Sequence, residues 1–97
     1  MKKNEVSKKN PIFAKKTFMP EVFRFFGFSF FFYSREHEPI HIHIEGNNGY
    51  AKYKWNGESF EQETAVNIKA GDLKNIKRVI DENADLIIKR WEEYFNK

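Results

Sequence analysis

Residues 40–45 alternate strictly between apolar and polar side chains, and this alternation limits the fold more than any other pattern in the chain. Three isoleucines occupy every second position, in the order Ile40, His41, Ile42, His43, Ile44 and Glu45. A period of two residues predicts a β-strand with one buried face and one polar face. We expect the isoleucines to face the core and the polar side chains to face solvent, a cleft or a partner.

Upstream of this strand, two aromatic-rich runs predict a β-hairpin. Residues 22–26 and residues 28–34 are both β-prone, and Gly27 separates them. The second run carries apolar side chains on both faces. We therefore expect a central strand that is covered by a helix on one face and by the tail or a partner on the other.

Downstream, the strand pattern continues after an obvious turn at residues 46–49. Residues 50–55 alternate again, and residues 58–63 are expected to form the return strand. The pair Asn56-Gly57 between them is typical of a two-residue type I′ turn. The sequence therefore predicts four to five strands.

From Asp72 onward the pattern changes to a helical period. Apolar residues recur at steps of three and four, at Leu73, Ile76, Ile80, Ala84, Ile87, Trp91 and Phe95. We expect the helical cap at Gly71 or Asp72, and we favour a break at Asn83 because Asn prefers caps and turns. Strands followed by helices predict an α+β fold, a curved antiparallel sheet of four to five strands with one or two C-terminal helices packed on one face.

Length and charge define the domain organisation. The chain has 97 residues, which allows one domain. Residues 1–18 hold six lysines and one glutamate, whereas residues 19–97 hold eleven basic and thirteen acidic residues. We therefore expect a basic, flexible N-terminal arm over residues 1–18 and a single α+β domain over residues 19–97. The folded part is not a strongly basic nucleic-acid binder by composition.

The lack of cysteine and of a long apolar stretch excludes further classes of site and protein. The chain has no cysteine, which excludes disulfides, thiolate metal sites and cysteine nucleophiles. The lysine-rich start is not followed by an apolar stretch, and the densest apolar run, Phe25–Tyr33, is far shorter than the roughly 20 residues of a membrane span. We expect a cytoplasmic protein without a membrane segment.

Residues 37–43 hold every histidine in the chain and form the candidate site. In an extended strand, His41 and His43 project from the same face with Cβ atoms roughly 6.5–7 Å apart. They could bind a divalent metal ion, with Glu45, His37 or a glutamate from another strand as third ligand.

The same pair allows two other interpretations. Histidines beside lysines could act as acid–base groups and suit 2′-hydroxyl attack in RNA, or they could be polar residues on the wet face of a half-buried sheet. The supporting substrate contacts that we predict are Arg24, Tyr33, Lys52 and Lys54.

Several segments of the chain are similar to one small bacterial family. They are Met19-Pro20-Glu21-Val22-Phe23-Arg24, Gly27-Phe28, Phe30-Phe31-Phe32-Tyr33-Ser34, Glu38-Pro39-Ile40-His41-Ile42-His43 and Trp91-Glu92-Glu93-Tyr94-Phe95. Together they resemble the family called domain of unknown function 4160, over about residues 19–95. The resemblance implies a small domain encoded beside a second one, as in a toxin–antitoxin pair. The polar residues that match its pattern are Arg24, Tyr33, Ser34, His41 and His43; the lysine arm departs from it.

These observations lead to one hypothesis and two alternatives. The hypothesis is a toxin–antitoxin-type protein that binds or cleaves RNA, with His41 and His43 as the catalytic groups. The alternatives are a non-catalytic module that docks a companion protein, and a metal-binding protein with a divalent ion at the two histidines. Whether the protein is an enzyme stays open, and exposed aromatic residues would also allow a homodimer.

Overall fold

Five antiparallel strands followed by two helices make up residues 20–95, the part of the chain that the computed structural model describes. The arm predicted at residues 1–18 lies outside the described residues. The elements are β1 (Glu21–Phe25), β2 (Phe28–Phe31), β3 (His41–Gly46), β4 (Gly49–Trp55), β5 (Phe60–Val66), α1 (Ala70–Glu82) and α2 (Ala84–Phe95). The strands are ordered β1-β2-β3-β4-β5, each antiparallel to its neighbours. The predicted α+β fold is confirmed.

The apolar face of the sheet packs against the helices and forms the core. Ile42, Ile44 and Phe30 are fully buried, as the alternation predicts. From the helices, Ile76, Val79, Ile80, Ile87 and Trp91 join the same cluster. The helical stripe is therefore buried against the face that the isoleucines define.

The opposite face of the sheet is covered differently from our expectation. Phe31 points to this face and is only 4% exposed, so β2 is indeed covered on both sides. The strand ends at Phe31, however, and residues 33–39, which we name the cover loop, leave the sheet. The ring of Tyr33 lies 5.3 Å from that of Phe31. In residues 20–95 the second face is thus covered by the loop that follows β2.

The break between the helices at Asn83 is confirmed. Its backbone N–H donates to the carbonyl oxygen of Val79 at 3.0 Å, and its side-chain amide donates to the same oxygen at 2.8 Å. The predicted start of α1 is wrong by two or three residues, because Lys69 is the capping residue. The carbonyl of Lys69 accepts the first helical hydrogen bond, from the N–H of Leu73, at 2.9 Å.

The turn predicted at Asn56-Gly57 is also different. Four residues, Asn56–Ser59, connect β4 and β5, because the side-chain oxygen of Asn56 accepts hydrogen bonds from the N–H groups of Glu58 and Ser59. A two-residue turn with both residues at positive φ occurs instead at Asn47-Asn48. Neither helix within residues 20–95 has the length and apolar character of a membrane span.

Candidate metal centre

The cover loop places the carboxylate of Glu36 between the two histidines of β3. Its Oε2 atom lies 2.9 Å from Nε2 of His41 and 2.6 Å from Nε2 of His43. The histidines share one face because they are two residues apart on a strand, and Glu36 reaches that face because the loop folds back over it. The resulting cluster, Glu36, His41 and His43, is named the His–Glu cluster.

The second nitrogen of each imidazole is also held. Nδ1 of His41 donates to the carbonyl oxygen of Pro39 at 2.8 Å. Nδ1 of His43 lies 2.7 Å from the hydroxyl of Tyr50 on β4. Both rings are therefore fixed by their Nδ1 atoms with Nε2 aimed at one point. This is how metal-binding histidines are oriented by hydrogen bonds from their other nitrogen.

The His–Glu cluster is buried, which corrects the expectation that the histidines face solvent, a cleft or a partner. Their exposed fractions are 9% for His41 and 3% for His43. Aromatic rings enclose them. The ring of Phe31 stacks on that of His43 with 5.6 Å between the ring centroids, and the ring centroids of Trp91 and His41 are 5.1 Å apart. The sequence period shows which side chains share a face, but not which loop covers it.

One atom of the cluster has no hydrogen-bond partner in the described part of the chain. The Glu36 side chain is only 9% exposed. Its Oε1 atom is buried and makes no hydrogen bond among the described residues. A buried polar atom that has lost water without gaining a hydrogen bond is destabilising by about 1–3 kcal/mol. The site therefore has spare capacity to bind a positively charged ligand.

Hydrogen bonding also sets the protonation of the cluster. Burial alone would raise the pKa of Glu36, but its hydrogen bonds with His41 and His43 outweigh burial and lower the pKa to about 2. Burial opposes the charge on His41, but the hydrogen bonds to Glu36 and to the Pro39 carbonyl raise its pKa. Both of these partners are acceptors, so His41 carries protons on both nitrogens in this arrangement. Burial raises the pKa of Tyr50 to about 12, which keeps its hydroxyl protonated.

Of the predicted substrate contacts, three lie near the histidines. The ring of Tyr33 is 4.3 Å from that of His43. Lys52 is the cross-strand partner of His43, and Lys54 is the partner of His41. Lys52 also forms an ion pair with a glutamate of β5, with a nitrogen–oxygen distance of 3.6 Å.

Arg24 is not brought to the histidines. It forms an ion pair with Glu21 at 2.9 Å and lines a separate cavity of about 740 Å³. Phe31 and Tyr50 line this cavity too, and both also contact His43. The His–Glu cluster is not part of its lining.

The sequence pattern pointed to other residues as the third ligand, the position that Glu36 occupies. His37 is exposed and outside the cluster, and Glu45 is exposed on β3. The glutamate comes from a loop, not from another strand. The available signal was the spacing itself, a glutamate five residues before the first histidine of a His-x-His pair.

Two imidazole nitrogens and a carboxylate are a donor set for borderline divalent metals. Zinc sites use His and Glu ligands in this combination, and so do non-haem iron sites. The three donor atoms of the His–Glu cluster lie within 4.8 Å of one another. Oε1 of Glu36, which has no hydrogen-bond partner within residues 20–95, supplies a fourth donor atom in the same place. The residues present therefore fit a small divalent cation.

Comparison with known proteins identifies a family. No curated protein and no solved structure matches the chain. A family model described as Domain of unknown function (DUF4160) matches residues 27–92, from the β1–β2 turn into α2. That range is more than half of the chain and includes the whole His–Glu cluster. The chain therefore belongs to the DUF4160 family.

Proposed function

We propose that this protein binds one divalent first-row transition-metal ion, zinc being the first candidate, through Nε2 of His41, Nε2 of His43 and the carboxylate of Glu36. The observation that supports the proposal is the convergence of these three donors in a buried site where one carboxylate oxygen has no hydrogen-bond partner among residues 20–95. The ion provides the positive charge that this oxygen lacks.

The distances are compatible with a small ion. Zinc lies about 2.0–2.1 Å from imidazole nitrogen and about 2.0–2.2 Å from carboxylate oxygen, so tetrahedral donors are about 3.3 Å apart. Oε2 of Glu36 is now 2.9 and 2.6 Å from the two nitrogens. Entry of the ion requires these atoms to separate by less than about 1 Å. The Nε2 protons leave when the ion binds, and the Nδ1 hydrogen bonds stay in place.

A purely structural ion pair explains the cluster less well. Desolvating a carboxylate and two imidazoles costs several kcal/mol, and apolar side chains of similar volume often stabilise a core as much or more. Such a pair would also leave Oε1 of Glu36 unsatisfied. Metal binding accounts for both the burial of the three residues and the spare oxygen.

Elemental analysis and zinc titration of the full chain test the proposal. We expect about one zinc ion per chain for the wild type, and at least a tenfold loss of affinity for Glu36→Gln or His43→Ala. The matched controls are Glu38→Gln and His37→Ala, which alter the same residue types at exposed neighbouring positions. Equal zinc affinity for Glu36→Gln and Glu38→Gln, or no bound metal in any sample, would rule out the site.

The RNA function predicted from the sequence is a second candidate. Lys52 and Lys54 favour it, since they are the cross-strand partners of the two histidines. The burial of both imidazoles weighs against it, because an acid–base group must come within hydrogen-bond reach of the substrate.

Induced expression tests this candidate, including the toxin role. If the protein cleaves RNA, growth slows, and the double variant His41→Ala/His43→Ala restores it. No growth effect, or an effect that the double variant leaves unchanged, speaks against it. Docking of a companion protein stays a prediction; it requires that the double variant still co-purifies with that protein.

A further inference from the structure

The cover loop is fixed at its two ends. Before it, the N–H of Phe32 donates to the carbonyl oxygen of Pro20 at 2.9 Å, and the Phe32 side chain is buried. After it, the carbonyl of Ile40 accepts from the N–H of Trp55 at 2.8 Å, and Ile40 packs against the core. Any movement of the loop is therefore confined to residues 33–39.

Between these ends, the polar attachments of the cover loop converge on two rings. Within residues 20–95, the hydrogen bonds and ion pairs made by residues 33–39 all involve His41 or His43. The remaining polar side chains of the loop, Ser34, Arg35, His37 and Glu38, are exposed. The charged attachment of the loop, Glu36, is thus made through the atoms that would bind the ion, whereas Pro39 bonds to the other nitrogen of His41.

We infer that metal binding holds the cover loop closed over the sheet, and that loss of the ion releases it; the inference rests on the proposed metal site. With the ion bound, opening the loop requires a bond from Glu36 to the metal to break. Without it, opening requires only hydrogen bonds to break, the two of Glu36 with the imidazoles and the one between Pro39 and His41. The open loop uncovers the ring of His43 and the face of Phe31, which Tyr33 now contacts.

The size of the effect follows from binding linkage. If the ion binds only the closed loop, the population of the open state falls by the factor 1 + [metal]/Kd. At a free zinc concentration of 100 times Kd, the open population is therefore about 100-fold smaller. Proteolytic cleavage within the loop reports this population when reclosing is fast relative to cleavage, because a protease cuts the open state.

The experiment is limited proteolysis of the full chain with trypsin, with excess zinc or with chelator. We expect cleavage after the exposed Arg35 to slow by about 100-fold when free zinc is about 100 times Kd. Cleavage after Lys69, which is also exposed, serves as the internal control.

The outcomes separate this inference from the proposed function. Zinc binding with slower cleavage confined to the cover loop supports both. Zinc binding with unchanged cleavage after Arg35, or with equal slowing after Arg35 and Lys69, overturns the loop mechanism and leaves the metal site intact. Absence of zinc binding overturns both. Glu36→Gln should be cleaved after Arg35 at least as fast as the chelated wild type and should not respond to zinc, whereas Glu38→Gln should respond like the wild type.

Discussion

The two faces of the sheet are both buried, and both include side chains of β3, but they are covered by different elements and through different kinds of contact. On one face Ile42 and Ile44 pack against two helices, and the contacts are apolar. On the other face His41 and His43 are almost as deeply buried, but a loop covers them and a carboxylate joins them. Equal burial therefore does not mean equal contribution to stability.

The difference lies in what burial costs. Removing an Ile or Phe side chain from water stabilises the fold by about 1.5–3 kcal/mol without further partners. Imidazole and carboxylate groups lose their hydration on burial and regain stability only through the hydrogen bonds that they form. The helix face should therefore control folding, and the loop face should control ligand binding. The following changes test that division, from the largest expected effect to the smallest.

Truncation on the helix face should have the largest effect. Phe30 is fully buried, so Phe30→Ala should reduce the free energy of unfolding by about 3–5 kcal/mol. Urea denaturation measures the loss. Phe25→Ala is the control, because Phe25 is 41% exposed and should lose less than about 1 kcal/mol. Similar losses for both variants would contradict the assignment of the core.

Removing the carboxylate on the loop face should have a smaller effect on the metal-free protein. In the presence of chelator, Glu36→Gln should lower the free energy of unfolding by about 2–3 kcal/mol, because it leaves two buried imidazoles without their charged acceptor. Glu38→Gln, at an exposed position, should change it by less than about 0.5 kcal/mol. A loss as large as that of Phe30→Ala would show that the two faces contribute equally to folding.

The pH dependence of the metal-free protein should show the loop face alone. The pKa of Glu36 is lowered from 4.5 to about 2, so its contribution is present above pH 4.5 and is lost as the pH falls toward 2. The pKa of His41 is raised above 6.5, so its contribution is present below pH 6.5 and is lost as the pH rises through the raised value. The resulting maximum of stability between about pH 4.5 and 6.5 should flatten in Glu36→Gln, and denaturation from below pH 4.5 to above pH 6.5 measures it.

The hydroxyl of Tyr50 should matter for metal affinity more than for folding. Tyr50→Phe removes the partner of His43 Nδ1, and we expect zinc affinity to fall by about tenfold, or about 1.4 kcal/mol. Tyr33→Phe is the matched control, because the Tyr33 hydroxyl has no hydrogen bond among residues 20–95. Calorimetric titration distinguishes the two, and equal affinities would show that Tyr50 does not orient His43.

The smallest effect is expected for a substitution outside both faces of the sheet. Phe26 lies in the β1–β2 turn at φ 53° and is 56% exposed. Because a left-handed backbone disfavours Phe and suits Asn, Phe26→Asn should raise the free energy of unfolding by about 0.5–1 kcal/mol. Zinc affinity should stay unchanged. A loss of stability would mean that the contact of Phe26 with the ring of Phe25 outweighs the backbone preference.

The elements that the sequence predicts well are those with a local period. Alternation over residues 40–45 and the helical stripe after Asp72 identify β3 and both helices, because each pattern follows from the geometry of one element. The break at Asn83 is predicted for the same reason, since its side chain bonds within the same turn. The turn at Asn56 is not, because its side chain stabilises a longer loop.

The sequence predicts the two histidines of the candidate site but not its glutamate. His41 and His43 are found by their spacing, but Glu36 lies in a polar segment without any period, and its position depends on how the cover loop crosses the sheet. His37 and Glu45 are nearer to the histidines in sequence, yet both point to solvent. Chain proximity and residue type therefore identify the chemistry of the site, and tertiary structure selects the members.

The three donors of the His–Glu cluster come from only eight consecutive residues, 36–43. A chelate built from one short segment closes two small rings of chain, so its loop-closure entropy is small. A donor set spread over 50 residues would cost about 2 kcal/mol more by the same measure. The number of donor atoms that can converge is thus set within one segment of the chain. The sheet and helices add rigidity and exclude water. The pattern Glu-x4-His-x-His accordingly contains all three donors, and a loop that folds back over the strand brings them together.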